Sequence, residues 1–158
     1  MIRKKNKFSW PRKLYDKTRI GEENKLVEEY GLKNKREIWK AEAKIKYFRN
    51  RAKFLITASQ EEQEKFFEKL NGIGLSVKTI ADVLALNKEN LLKRRLSTIV
   101  WKKGLSNTAK HARQLIVHKK VFVAGRTINI PGYIVPVNIE PNVSLKNKIK
   151  TQKLEATE

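Results

Sequence analysis

The stretch from Gly104 to Arg126, GLSNTAKHARQLIVHKKVFVAGR, carries ionisable side chains of one sign only. It contains five lysines and arginines and two histidines, and it has no carboxylate. A solvated helix face usually mixes both signs, because Glu–Lys pairs one turn apart stabilise a helix. Cations without neighbouring acids are the side chains that neutralise phosphates. The stretch therefore predicts a surface that binds a polyanion.

A second basic block lies near the start of the chain. The 158 residues include 36 Lys and Arg against 16 Asp and Glu, a net charge of +20. Residues 1–56 hold 18 basic and 7 acidic side chains, and residues 93–126 hold 10 basic and no acidic ones. Residues 57–92, between them, hold 4 basic and 6 acidic side chains. A generally lysine-rich composition would not empty one block of acids, so we expect two nucleic-acid contact regions.

The composition excludes several kinds of chemistry. No cysteine is present, so disulfides, thiolate catalysis and cysteine zinc sites are impossible. His111 and His118 share a helix face, but two histidines alone make a weak metal site. There is no Gly-rich phosphate loop, no HExxH motif, no signal peptide and no apolar run near the roughly 20 residues of a membrane span. We expect an intracellular binding protein with no catalytic residue, metal, cofactor or membrane partner.

Hydrophobic periodicity predicts the elements that position the charges. Caps and glycines bound six helices, over residues 22–30, 34–57, 59–72, 76–84, 87–102 and 107–118. A Gly125–Arg126 turn between β-branched residues predicts a hairpin over residues 121–130. The fold class is α+β, with a helical N-terminal part, a basic extended arm, and a small helix-turn-helix and β-hairpin RNA-binding module. The expected domains are the arm (1–20), a helical domain (21–90), the module (91–140) and a basic mobile tail (141–158).

The last predicted helix has two faces when each residue turns by about 100°. Its inward face carries Ala109, Ala112, Leu115 and Ile116. Its outward face carries Lys110, His111, Gln114 and His118, with Arg113 at the flank. Ser106 is the predicted N-cap, and its hydroxyl with the free N–H groups of the first turn would form an anion site. The acids are therefore missing from the face where phosphate would lie.

This organisation resembles a known RNA-binding module. Residues 91–135, LLKRRLSTIVWKKGLSNTAKHARQLIVHKKVFVAGRTINIPGYIV, are similar to the small domain named after the fourth protein of the small ribosomal subunit. The upstream stretch EEYGLKNKREIWKAEAKI resembles the archaeal and eukaryotic form of that ribosomal protein family. The resemblance implies a primary binder of small-subunit rRNA that nucleates assembly at a junction of the 5′ domain. It also implies a place in the cytoplasmic ribosome beside ribosomal protein five and other small-subunit proteins, near mRNA at the entry channel.

The candidate RNA-binding residues come from the resemblance and from the charge pattern. The family's helix motif maps onto Ser106, Thr108, Lys110, His111, Arg113 and Gln114, and its preceding basic triplet onto Lys93, Arg94 and Arg95. The other candidates of the module are Lys102, Lys103, His118, Lys119, Lys120 and Arg126. The candidates of the N-terminal block are Lys33, Lys35, Arg36, Lys40, Arg3, Lys4, Lys5 and Arg12.

Several alternatives stay open at this point. Trp101, and the aromatic residues Phe8, Trp10 and Tyr15 of the arm, would either pack on the domain or stack on bases. Pro141 interrupts the segment where relatives place a last strand, so the sequence does not decide whether that strand forms. An RNA-binding assembly or stress factor outside the ribosome is the alternative function. An anionic membrane is a weaker candidate, because no exposed hydrophobic stripe accompanies the basic faces.

Overall fold

The computed structural model describes residues 7–146. The candidates Arg3, Lys4 and Lys5, and residues 147–158 of the predicted tail, lie outside the described residues. The α+β class is confirmed. The helices are α1 (Lys17–Glu29), α2 (Arg36–Leu55), α3 (Gln60–Ile73), α4 (Ile80–Ala85), α5 (Lys88–Lys93), α6 (Leu96–Lys102) and α7 (Ala109–Val117). The strands are β1 (Val121–Val123), β2 (Arg126–Thr127) and β3 (Val143–Leu145), with a 3₁₀ helix over Val137–Asn142. No helix among the described residues is long and apolar enough to cross a membrane.

The first helix begins earlier than predicted, inside the expected arm. The carboxylate of Asp16 accepts a hydrogen bond from the Thr18 N–H at 3.1 Å and caps α1. The ring centroids of Phe8 and Trp10 lie 5.9 and 5.2 Å from that of Trp39 on α2. The described part of the arm is therefore anchored on the helical domain through Phe8 and Trp10, whereas Tyr15 is 89% exposed.

Helix α2 forms one wall of a first hydrophobic core. Its buried face follows the helical period, with Ile38, Ala41, Ile45, Phe48, Ala52 and Leu55 turned inward. Leu26, Leu70, Val83 and Leu92 pack in the same region from four other helices. Gly74, with φ of +88°, ends α3 two residues after the predicted stop. Thr79 and Asp82 form a capping box, so α4 starts at Ile80, four residues after the start of the helix predicted over residues 76–84.

The single helix predicted over residues 87–102 is wrong, because the chain breaks at Arg94 and Arg95. Arg95 is extended, with φ of −73° and ψ of 145°. Its neighbours hydrogen-bond the distant segment 131–135 instead of the preceding turn, with the Leu96 N–H 2.8 Å from the Tyr133 carbonyl and the Val135 N–H 3.1 Å from the Arg94 carbonyl. These bonds replace the helical ones and separate α5 from α6. They also hold the chain around Ile134 through a single bridge to Arg95 rather than a full strand.

A second hydrophobic core lies under the small sheet. Leu96, Val100, Ala112, Ile116, Val121 and Val135 are among its buried members, and Trp101 packs on it half-buried. The sheet is antiparallel with the order β2-β1-β3. Its turn is Ala124–Gly125, with φ of 49° and 76°, one residue earlier than predicted. The last strand does form, because Pro141 lies in the 3₁₀ helix that precedes it.

The two cores meet at a close backbone contact. Gly31 follows α1 with φ of +59°, and a Cβ built there would lie 2.7 Å from the Ala109 carbonyl carbon and 2.8 Å from the Lys110 nitrogen. Both atoms belong to backbone and cannot swing away as a side chain would. Any residue other than glycine would therefore push α7 away from the end of α1.

We predict that Gly31→Ala lowers the free energy of unfolding by at least about 1 kcal/mol, because positive φ is strained for alanine and the added methyl clashes. Gly72→Ala is the matched control. Nothing lies within 4 Å of its built Cβ, and Gly72 is inside α3, so a gain of about 0.5–1 kcal/mol is expected. Urea unfolding of the two variants measures both effects, and a Gly31→Ala variant as stable as the native protein would contradict the contact.

Candidate nucleic-acid interface

The start of α7 differs from the prediction. Thr108 is the N-cap, and its hydroxyl accepts a hydrogen bond from the His111 N–H at 3.1 Å. Ser106 is 5% exposed, and its hydroxyl donates to the Thr108 carbonyl at 3.3 Å. The prediction of Ser106 as the N-cap is therefore wrong, because its side chain is buried and bonded within the turn, while its contact with phosphate stays a prediction.

Glu37 joins the two cores through two arginines. From the first turn of α2, its carboxylate accepts hydrogen bonds from Arg113 on α7 at 3.0 and 3.2 Å. It also forms a short charged hydrogen bond with Nη2 of Arg95, the residue that precedes α6. Burial alone would raise the pKa of Glu37, but the hydrogen bonds and charges of both arginines outweigh it and hold the pKa below its usual value. The carboxylate is therefore ionised and bridges three elements.

Arg94 is also engaged within the protein. Its Nε donates to the Ile73 carbonyl at 2.9 Å, and its Nη2 donates to the Val135 carbonyl at 3.0 Å. The same Nη2 lies 2.8 Å from the Glu140 carboxylate.

The three arginines were predicted to contact RNA, and in the structure their guanidinium groups bind partners within the protein. Arg94 and Arg113 keep only a small part of their side chains exposed, 15% and 22%, and Arg95 keeps 8%. Their guanidinium groups are already paired with carboxylates and carbonyls. Arg94, Arg95 and Arg113 therefore hold the cores together, and their contact with RNA stays a prediction.

The other candidates of the module remain at the surface. The exposed ones are Lys93, Lys102, Lys103, Thr108, Lys110, His111, Gln114, His118, Lys119, Lys120 and Arg126. His111, Gln114, His118 and Lys120 line one shallow depression beside α7. The ammonium of Lys103 is partly occupied, because it donates to the carbonyls of Glu140 and Pro141. The outward face of α7 is therefore basic and open, as its helical period predicted.

The candidates of the N-terminal block are less uniform. Lys33, Lys40 and Arg12 are exposed, and the exposed Arg36 guanidinium lies 5.4 Å from the ring centroid of Trp10. Lys35 is half-buried, with its Nζ 3.6 Å from the Glu23 carboxylate. Four of these cations thus remain accessible, and Lys35 also neutralises a buried acid.

Sequence reasoning missed two exposed rings on α2. Tyr47 and Phe54 are 65% and 75% exposed, although a globular domain usually buries such side chains. Both fall outside the apolar period of α2, and that departure was the signal in the sequence. Among residues 7–146 no group of acids and histidines could hold a metal ion.

The chain is similar in sequence to a family of known proteins. The family model of the S4 domain matches residues 94–138. The small ribosomal subunit protein uS4 of Methanococcus aeolicus is 47% identical over 133 residues, which are 80% of this chain and 75% of that protein. The uS4 protein of Thermoplasma volcanium is 44% identical over 147 residues, covering 87% and 74%. That of Methanothermobacter thermautotrophicus is 38% identical and covers 92% of each chain.

We predict that Glu37→Gln lowers the free energy of unfolding by about 3 kcal/mol, because it leaves the buried Arg95 and the half-buried Arg113 guanidinium groups without their carboxylate. Glu42→Gln, on the exposed side of the same helix, is the matched control and should change stability by less than about 0.5 kcal/mol. Chemical unfolding of both variants tests this, and equal effects would contradict the bridging role.

The lowered pKa of Glu37 also predicts a pH dependence. A carboxylate whose pKa is lowered in the folded state stabilises the fold at pH values above its usual pKa of 4.5. That stabilisation is lost as the pH falls through the lowered pKa. Asp16, Glu23 and Asp82 are shifted in the same direction, so native stability alone does not isolate Glu37. The stability difference between the native protein and Glu37→Gln should shrink below pH 4.5. Unfolding titrations at several acidic pH values measure it, and a constant difference would overturn the assignment.

Proposed function

Since the chain belongs to the family of small ribosomal subunit protein uS4, we propose that it binds small-subunit rRNA through the open basic face of α7 and its neighbours. Membership makes the chain a structural protein of the small ribosomal subunit with an RNA-binding S4 domain, and not an enzyme. Its partners are rRNA and other proteins of that subunit. The residues that touch RNA are the subject of the proposal.

The proposal rests on a difference between the cations of this segment: three arginines are paired with acids, and several lysines are exposed. Residues 93–126 contain no acid, and the acids that reach this segment, Glu37 and Glu140, come from outside it and pair with arginines. Lys93, Lys102 and Lys110 are exposed and form no ion pair among the described residues. Charge that no carboxylate offsets is stabilised by a polyanion.

The proposal extends to the shape of the RNA target. A short helix cannot enter the narrow major groove of an A-form duplex, so α7 would read backbone and shape rather than base sequence. Glu37 joins α2, whose surface carries Arg36 and Lys40, to the basic face of α7, and so holds these two basic surfaces at a fixed angle. This arrangement suits an RNA junction, where two RNA helices also meet at a fixed angle. We therefore propose binding at a multi-helix junction of the 5′ domain and nucleation of assembly there.

The neighbours of the protein in the particle are a separate part of the proposal. From the family resemblance we infer a position beside ribosomal protein five, near the mRNA entry channel. Crosslinking within purified small subunits tests both contacts. Crosslinks to ribosomal protein five and to mRNA are expected, and their absence in intact particles would overturn this part alone.

We predict that Lys93→Ala together with Lys110→Ala weakens binding to small-subunit rRNA and lowers the salt slope of log K by about 1 for each lysine. Melting temperature should stay unchanged, because both side chains are exposed. Lys65→Ala, an exposed lysine of α3 in the near-neutral segment, is the matched control and should leave the slope unchanged. Filter binding over a range of salt concentrations measures these slopes, and an unaltered slope in the double variant would show that another face binds.

A further inference from the structure

Helix α2 carries an exposed stripe in which cations alternate with aromatic rings. Its members are Arg36, Lys40, Tyr47, Arg51 and Phe54, at intervals of four, seven, four and three residues. Residues at this spacing lie on one helix face. The acids of α2 lie elsewhere, since Glu37 is engaged by two arginines and Glu42 falls on another side of the helix. The stripe is therefore wholly basic and aromatic.

The rings of Tyr47 and Phe54 are exposed, and that of Tyr47 also packs on a buried ring. Tyr47 lies over the buried Phe48, with ring centroids 6.0 Å apart and planes tilted by 58°. The Lys44 ammonium lies 5.9 Å from the same Phe48 ring. Phe54 is 75% exposed near the end of α2. Such rings leave one face free, and they sit on a rigid helix that does not have to fold around a ligand.

The charge around the rings favours an anionic occupant. Burial, and then repulsion from Lys69 of α3, lowers the pKa of Lys44, which indicates that cations of α2 and α3 crowd each other on this side. A bound anion would relieve that repulsion. A protein partner with an apolar docking surface would instead have to dehydrate these cations, and a membrane-surface helix separates its apolar and basic residues onto opposite faces.

We propose that this stripe is a second RNA surface, which takes unpaired nucleotides and stacks their bases on Tyr47 and Phe54. Aromatic rings interleaved with cations bind single-stranded nucleic acid, because each base offers a flat face and each phosphate a charge. Seven residues separate the rings, a rise of about 10.5 Å along α2. At about 3.4 Å per stacked nucleotide, that spacing fits bases roughly three nucleotides apart.

The inference deepens the proposed function and rests on it, since it takes RNA as the partner. It assigns different RNA structures to the two surfaces: backbone and shape to α7, and unpaired bases to α2. The two assignments fail separately, because one depends on lysines and the other on rings. The probes can therefore be a single-stranded oligoadenylate and an RNA duplex of equal length.

The decisive variant is the full chain with Tyr47→Leu and Phe54→Leu, which keeps apolar area and removes the stacking faces. We expect its affinity for oligoadenylate to fall by about tenfold for each ring, with duplex affinity unchanged. The salt slope should also stay unchanged, because the rings neutralise no phosphate. Tyr47→Phe with Phe54→Tyr should bind as the native protein does. Ile56→Ala, which removes a 58% exposed aliphatic side chain nearby, is the matched control.

Several outcomes would overturn the inference. Native affinity for oligoadenylate in the leucine variant would show that the rings do not stack, as would an equal loss of duplex affinity. A native protein that bound vesicles of anionic phospholipid but not oligoadenylate would assign the stripe to a membrane. If instead the lysine variants of the module lost duplex binding while the ring variants bound normally, only this inference would fail and the proposed function would remain.

Discussion

The carboxylate of Glu37 is the contact on which the arrangement of the two cores depends. It stands in the first turn of α2, where the helix dipole favours an acid, and it receives hydrogen bonds from residues of two other elements. A carboxylate leaves water at a high free-energy cost unless its partners match it, and here two guanidinium groups do so. Gly31 adds a steric constraint, since its backbone touches the first turn of α7. Together the ion bridge and the glycine contact fix the orientation of the basic module.

The same pairing explains why arginine and lysine have different positions in one basic segment. A guanidinium group donates several hydrogen bonds in a fixed plane, so it suits a half-buried site with carboxylates and carbonyls. An ammonium group is a compact, strongly hydrated charge and is better placed in water. Arg94, Arg95 and Arg113 accordingly lie between elements, while Lys93 and Lys110 lie outside, as does the remaining arginine of the segment, Arg126. The net charge of the segment does not distinguish these roles; the carboxylates and carbonyls around each cation do.

The features of the fold that depend on residues close together in the chain were predicted from local sequence patterns. The existence of the long helix α2 and the two faces of α7 follow from the helical period, and both were predicted correctly. The break at Arg94 and Arg95 depends on backbone bonds to residues near 134, about 40 positions away, which no local pattern reveals. The internal partner of two of these arginines was missed for the same reason, since Glu37 is 58 positions from Arg95 and 76 from Arg113. Pro141 was an ambiguous signal because a 3₁₀ turn accommodates it as readily as a break does.

The strand order β2-β1-β3 has a consequence for the growing chain. The central strand β1 is synthesised with β2 immediately after it, but its other neighbour, β3, follows only after the 3₁₀ helix. Until Val143–Leu145 leaves the exit tunnel, one edge of β1 has no strand to pair with, and unpaired edges attract other chains. The helical core can form earlier, since domains fold from the N-terminus during synthesis. A nascent chain of this protein therefore passes through a stage with a finished helical half and a half-built sheet.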